Sequence, residues 1–535
     1  MSRSAQEILL VPGEVDLATL RTIYQDQVTL HLADEARAAI TAANQTVEAI
    51  VASGNTVYGI NTGCGKLART RIPMELLEET QRNLIVSHAV GVGALLPDNV
   101  TRLTVALKII SLSRGHSGVR LELVEALLAL FNADVMPCIP EKGSVGASGD
   151  LAPLAHLSLM LLGEGQVLVD GELIPAGDGL ARAGLRSLTL RPKEGVALLN
   201  GTQASTALAL RGLFEAENLF AAGLVAGALS LEAIKGSAKP LDARVHQARG
   251  QPGQIAVAAA VSGFLEGSQI LDSHAACGRV QDPYSIRCVP QVMGACLDNL
   301  RHAARVLEIE ANAASDNPLV FSDSGDVISG GNFHAEPVAF AADIIALSVA
   351  EVGGISERRL ALLLDTELSG LPPFLVPDSG LNSGFMTAQV TVAALVSENK
   401  SLAHPGSVDS IPTSANQEDH VSMAAYAARR LGDMCFNASA AMGIEAMAAA
   451  QGIEFHRPLR SSAALEEEVS RIRQRVAFLD RDRLMAPDIE AMRLWASGHN
   501  WPELLTELLP SRCSRMTGIS INTRRQRQLQ SSKMK

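Results

Sequence analysis

Residues 143–151 read GSVGASGDL, a glycine-rich interruption in a chain dominated by Ala and Leu. Gly143, Gly146 and Gly149 recur at three-residue spacing, interleaved with Ser144 and Ser148 and followed by Asp150. That composition is too flexible for helix or strand and predicts a tight loop that brings backbone close to another group. A serine nucleophile elbow, G-x-S-x-G, fails here, because its second glycine falls at Asp150. A different chemistry fits. With Ala147-Ser148-Gly149 held tight, the Gly149 nitrogen can attack the Ala147 carbonyl carbon and close a five-membered ring, an approach that a glycine leaves open. Loss of water from the ring, then of the Ser148 hydroxyl across Cα–Cβ, leaves a methylidene-imidazolone with an electrophilic methylene. Asp150 ahead of Leu151-Ala152-Pro153 reads as the cap of a helix over LAPLAHLSLMLL, whose positive end favours electron density on the ring. Read by itself, the loop fits an ordinary glycine-rich turn with a capping Asp as well.

The rest of the chain narrows the choice. Its 535 residues are 47% hydrophobic and 19% charged, a globular balance, and only 3% aromatic with abundant Ala and Leu, which favours close-packed helices over strands. The fold class expected is mainly α. A net charge of −12 disfavours general binding to nucleic acid or anionic membrane. The N-terminus has neither signal-peptide nor transit-peptide character, and the most apolar run, Leu219 to Leu231, falls short of a membrane span, so a cytoplasmic enzyme of small molecules is expected. Seven scattered cysteines without a C-x-x-C pair suggest neither a disulfide framework nor a zinc knuckle.

Three parts are expected: an α-rich domain with the glycine loop over 1–197, a helical bundle over 198–511, and a flexible basic tail over 512–535. Long apolar segments, 201–234, 291–311, 335–364, 383–402 and 420–450, carry the bundle, several of them apolar nearly all round and therefore surrounded by other helices. The charged stretch 461–483 reads as a solvated helix. Gly63-Cys64-Gly65-Lys66-Leu67-Ala68 follows the strand-like NTVYGIN and loosely matches a dinucleotide fingerprint, but no βαβ alternation surrounds it, and it fails as a P-loop because Leu67 follows Lys66. His334-Ala335-Glu336 imitates the H-x-E of zinc deaminases without the later P-C-x-x-C, so no metal site is expected.

Nine further stretches stand beside GSVGASGDLAPLAH: VYGINTG, NLIVSHAVGVG, ALLNGTQAS, QDPYSIRCVPQVMGA, SDNPLVFS, GGNFHAEPVAFAAD, LPPFLV, NSGFMTAQVT and PTSANQEDHVSMA, in order from about residue 50 to 425, with a weaker continuation to about 510. On these motifs the chain resembles the histidine ammonia-lyase family, which also contains phenylalanine and tyrosine ammonia-lyases and aminomutases. Cys64 departs from the family pattern, which usually has Phe there. The resemblance implies elimination of ammonia from L-histidine to give trans-urocanate, the first step of histidine degradation. It implies no external cofactor, a methylidene-imidazolone made from Ala147, Ser148 and Gly149, and a homotetramer with shared active sites. Residue by residue, it implies Tyr58 as base for the β-proton, Asn200 as hydrogen-bond donor to the ring, Tyr284 near the electrophile and Arg287 on the substrate carboxylate. Gln281, Gln417 and Phe333 line the same cavity by this reading, and His88 with Glu418 holds the substrate imidazole. A tyrosine or phenylalanine ammonia-lyase or aminomutase on the same fold is the alternative.

Overall fold

Alanine, leucine and glycine let helices approach closely, and the computed structural model, which describes residues 6–54, 56–63, 71–274, 280–498 and 501–512, is built on that approach. Its axis is the helix Gln203–Ala233, buried at every residue except Arg211 and Glu215. Around it pack the helices Leu431–Glu454, Glu336–Leu364 and Val289–Ala311. At Gly212 a Cβ would stand 2.3 Å from Leu431 Cδ1, so glycine is what lets these two helices touch, against a helix-propensity cost of about 1 kcal/mol. The bundle buries an ion pair. Arg359 and Glu445, both fully buried, meet at 2.8 Å between Nη2 and Oε2, and Ser230 Oγ donates to the same carboxylate at 2.7 Å. Removing one partner would strand the other charge.

The expected segments fall close to the observed helices, with two differences. The segment 420–450 divides into Ala424–Arg429 and Leu431–Glu454 at Arg430, whose guanidinium turns inward to Asp343 and the His404 carbonyl. The segment 461–483 is helical only over Ala463–Arg473, and Leu465, Val469 and Ile472 bury one face of it. The run 219–231 lies within a helix that is, by length and composition, apolar enough to cross a membrane, as is Glu336–Leu364. The apolar windows of these helices are 94% and 67% buried within the protein, so their apolar surface serves the bundle core.

Before the bundle, short elements hold the loops. A parallel strand pair, Gln6–Leu10 with Val28–Leu32, closes the N-terminal part. The helix Asp98–Leu112 packs against Gln203–Ala233, and Leu77–His88 lies on Leu151–Leu162, the helix that follows the glycine loop. VYGIN is a turn and not a strand, with Ile60 N donating to the Val57 carbonyl at 3.2 Å. Ile60 inserts into a small core of Ala43, Val47 and Val320, separate from the main one, and this pins the turn that carries Tyr58. Cys64, the fingerprint-like residues 64–68 and the tail from 513 onward lie outside the described residues; Arg512 is described, and its Nη2 donates to Asn218 Oδ1 at 2.7 Å.

Candidate active site

The glycine loop is clamped from three sides. Met423 N donates to the Val145 carbonyl at 2.9 Å and Ser422 Oγ to the Gly146 carbonyl at 3.0 Å. Asp150 N donates to the Gly201 carbonyl at 2.7 Å, and Gly149 and Gly201 form a parallel bridge. Gly149 has φ +75°, and a Cβ there would lie 2.1 Å from the Gly201 oxygen, so the position accepts glycine alone.

Asp150 stands at the start of Leu151–Leu162 as expected but makes no side-chain cap bond to it. Its carboxylate crosses instead to the helix Gln203–Ala233, accepting from Ser205 N at 2.7 Å, Ser205 Oγ at 2.9 Å and Ser144 Oγ at 2.9 Å. It thereby serves an orphan amide of the first turn of the longest helix, which fastens the loop to the bundle. Complete burial raises the Asp150 pKa, and the Ser205 and Ser144 donors act against that rise. On the other side of this helix start, buried Lys108 donates from Nζ to the Asn200 carbonyl at 2.9 Å. Desolvation brings Lys108 down to about 7, opposed by the charges of Asp316 and Asp150.

Ser148 opens onto a cavity of about 530 Å³, in the range of ~300–1,000 Å³ usual for small-molecule sites. Tyr58, His88, Ser148, Asn200, Phe333 and Glu418 all line it. Asn200 Nδ2 donates to the Ser148 carbonyl at 2.7 Å, while Asn200 Oδ1 is buried without a hydrogen-bond partner. Ser148 Oγ donates to Glu418 Oε1 at 2.5 Å, and Thr413 Oγ1 holds Glu418 Oε2 at 2.6 Å. His88 Nδ1 lies 2.7 Å from the Leu84 carbonyl. A carbonyl only accepts, so Nδ1 carries the hydrogen and Nε2 of the neutral ring is left as an acceptor.

These residues fit a ring formed at 147–149. The Ser148 carbonyl oxygen, which such a ring retains, already faces an Asn200 donor, and the Gly149 conformation excludes any side chain beside the ring nitrogen. Ala147 and Gly149 are buried behind Ser148.

Four expected residues do not reach this cavity within the chain. Gln417 is exposed beside the 3₁₀ turn Ser414–Asn416 and is not among the residues lining the cavity. Gln281, Tyr284 and Arg287 sit past the opposite end of the Gln203–Ala233 helix, where Asp282 Oδ2 accepts from Ser237 N at 2.6 Å. Tyr284 and Arg287 share a side, as their spacing requires, with the guanidinium carbon 4.5 Å from the ring centroid, but Tyr284 is 70% exposed. Thr413, Asn317 and Lys108 were not singled out by sequence. Thr413 and Asn317 stand inside quoted motifs, whereas nothing local marks Lys108, whose role depends on Asn200, 92 residues later.

Comparison with known proteins agrees with this geometry. The model of the aromatic amino acid lyase family matches residues 15–474. A histidine ammonia-lyase of Paracidovorax citrulli is 67% identical over 94% of this chain and 98% of its own. The crystal structure of histidine ammonia-lyase from Trypanosoma cruzi superposes with a TM-score of 0.87 at 41% identity, covering 95% of this chain and 97% of that one. A tyrosine aminomutase from Streptomyces globisporus reaches the same TM-score at 35% identity, covering 92% and 97%. With a clamped glycine loop, a cavity at Ser148 and matches over nearly its whole length, the chain belongs to the aromatic amino acid lyase family.

Proposed function

We propose that this protein is a histidine ammonia-lyase, converting L-histidine to trans-urocanate and ammonia at the cavity around Ser148, in the cytoplasm. The observation that carries the reading is the pair of acceptors, His88 Nε2 and the Glu418 carboxylate, lining one cavity with the ring-forming serine. A substrate imidazolium offers an N–H to each of them and a neutral imidazole an N–H to one, whereas a phenyl ring offers neither and would leave both unpaired. Paracidovorax citrulli histidine ammonia-lyase, at 67% identity, supports the same substrate.

The methylidene-imidazolone of Ala147-Ser148-Gly149, when formed, supplies an electrophile that activates the substrate toward loss of its amine. Around it each side chain has a task. Asn200 Nδ2 stabilises negative charge at the Ser148 carbonyl oxygen. Loss of the Ser148 hydroxyl during maturation releases Glu418 Oε1 from the 2.5 Å bond it accepts from that group, leaving the oxygen to meet the imidazole. Tyr58 takes the β-proton on its phenolic oxygen, which requires its ordinary pKa of about 10 to be lowered by donors or positive charge. Phe333 supplies an apolar wall.

Arg287 binds the substrate carboxylate, with Tyr284 and Gln281 beside it, but from another copy of the chain. The helix Gln203–Ala233 separates the two groups, and its 31 residues span about 45 Å. A homotetramer that sets the end of one such helix against the start of another assembles a complete site; helices apolar nearly all round supply the faces for that contact.

Two experiments test this. Turnover of histidine, tyrosine and phenylalanine is measured side by side, with the intact mass checked for the loss of two waters; a preference for tyrosine would replace the substrate. Inactive Tyr58→Phe and Arg287→Ala chains are then mixed after dissociation. Recovery of activity is expected because some mixed sites regain both groups, and no recovery would remove Arg287 from the shared site.

A further inference from the structure

Outside the cavity, His334, Glu336 and His420 bring one ligating atom each to within 4.8 Å of one another. His334 Nε2 lies 3.2 Å from the His420 carbonyl oxygen. That oxygen can only accept, so Nε2 carries the hydrogen, and Nδ1 of the neutral ring presents a lone pair. Facing Nδ1 at 3.9 Å is Glu336 Oε2, which is buried and has no hydrogen-bond partner. Two acceptors thus confront each other across a gap too wide for a hydrogen bond, an arrangement that a cation between them relieves. A proton on Nδ1 would serve that pair alone. The His420 ring, however, lies parallel to that of His334, at 3° with centroids 5.8 Å apart, and contributes a nitrogen to the same cluster.

We propose that His334, through Nδ1, with Glu336 and His420, binds one divalent transition-metal ion of the zinc type. Two imidazoles and a carboxylate are the donors such ions prefer over magnesium or calcium, and three protein ligands leave a position for water. Ligands about 2.0–2.2 Å from a zinc ion stand about 3.3–3.6 Å apart in a tetrahedron, so loading draws the cluster in by about 1 Å. The side chains have room for this, since His420 is exposed and the other two are partly exposed. The position gives the ion a structural consequence. His334 follows Phe333 and His420 lies two residues after Glu418, so the ion fastens together, from behind, the two stretches that line the cavity at Phe333 and Glu418. Glu336 opens the helix Glu336–Leu364, which anchors the clamp in the bundle.

The test uses the full-length protein, stripped with a chelator and titrated with Zn²⁺ by calorimetry, with Mg²⁺ as control. Co²⁺ replaces Zn²⁺ in a second titration read by visible absorption. Wild type is expected to take up one Zn²⁺ per chain and to show a four- or five-coordinate cobalt spectrum, while Mg²⁺ gives no heat. His420→Gln, an exposed change that leaves the fold intact, and Glu336→Gln are each expected to weaken binding by roughly tenfold or more. Equal uptake by wild type and both variants would put the zinc on other side chains and overturn the proposal. So would the absence of uptake by wild type, which would leave a proton as the bond between His334 and Glu336.

Discussion

Gly149→Ala separates the ring-forming geometry from the mere need for glycine in a turn, because a matched control exists at Gly171. Both glycines are left-handed, with φ +75° and +81°, so alanine costs each about 1–2 kcal/mol in backbone conformation. Around Gly171 nothing lies within 4 Å of the added methyl, and the cost ends there. At Gly149 the methyl would stand 2.1 Å from the Gly201 oxygen, whereas ordinary contact begins at 3.4 Å, so the two backbones must part by the difference, 1.3 Å. That movement breaks the 2.7 Å bond from Asp150 N to Gly201 and drags on the bond from Asn200 to the Ser148 carbonyl. The buried Asp150 N–H left without its partner adds about 1–3 kcal/mol, bringing Gly149→Ala to about 2–5 kcal/mol. In a chain of 535 residues this moves the melting temperature by only a few degrees, so turnover is the sharper readout. A displacement of about 1 Å at reacting groups costs about 10²-fold in rate. Urocanate formation and the near-ultraviolet absorbance of the ring are measured in both variants. Gly171→Ala should keep both; Gly149→Ala should lose at least 10²-fold in turnover along with most of the ring absorbance. Equal activity in the two variants would refute the clamp between Gly149 and Gly201.

Four other outcomes follow from the same site. Ser148→Ala should fold but show neither the ring absorbance nor urocanate formation, since no hydroxyl is left to eliminate from Cβ; wild-type turnover would end the ring mechanism. Tyr58→Phe should keep the ring absorbance and histidine affinity while single-turnover rate drops, and an unchanged rate would remove Tyr58 as the base. Glu418→Gln exchanges a charge for an amide, weakening the imidazole contact by about 1–3 kcal/mol; kcat/KM for histidine should fall at least tenfold and that for tyrosine by less, an equal fall pointing to a structural role. Lys108 sits at about 7 in the folded protein against 10.5 unfolded, so between those values the unfolded chain holds the extra proton and stability rises with pH. Lys108→Met should flatten that rise in denaturant midpoints measured from pH 7 to 10, and an identical slope in both proteins would show that Lys108 stays charged.

Sequence conveyed the parts of the fold that depend on local chemistry. The segments 201–234 and 335–364 were legible because they are apolar on every side, and the observed helices, Gln203–Ala233 and Glu336–Leu364, differ from them by a residue or two at the ends. The loop at 143–151 was legible as a close backbone approach, and Gly201 is what it approaches. Tertiary partners were not legible. Asp150 has the right residue type and position to cap the helix after it, yet three donors from elsewhere outbid that local bond, and its side chain serves a helix that begins 53 positions later. The break at Arg430 has the same origin, since the pull comes from Asp343, far away in sequence.

The motif QDPYSIRC shows where such a reading stops. Its residue types suit a carboxylate-binding site, and the spacing of Tyr284 and Arg287 places them on one side, which the 4.5 Å contact bears out. Spacing says nothing about which copy of the chain the motif faces. Asn200 precedes the helix Gln203–Ala233 and Asp282 is bonded to Ser237 just beyond it, so a rod of about 45 Å holds the two halves of the proposed site apart in every single chain. A rigid buried helix cannot bend to close that gap, since Gly212 is locked against Leu431 and Arg359 donates to the Gly223 carbonyl at 3.2 Å. The element that makes the core therefore also makes a solitary chain incomplete for the chemistry proposed. The exposed Tyr284 ring is the surface on which a second copy would have to complete it.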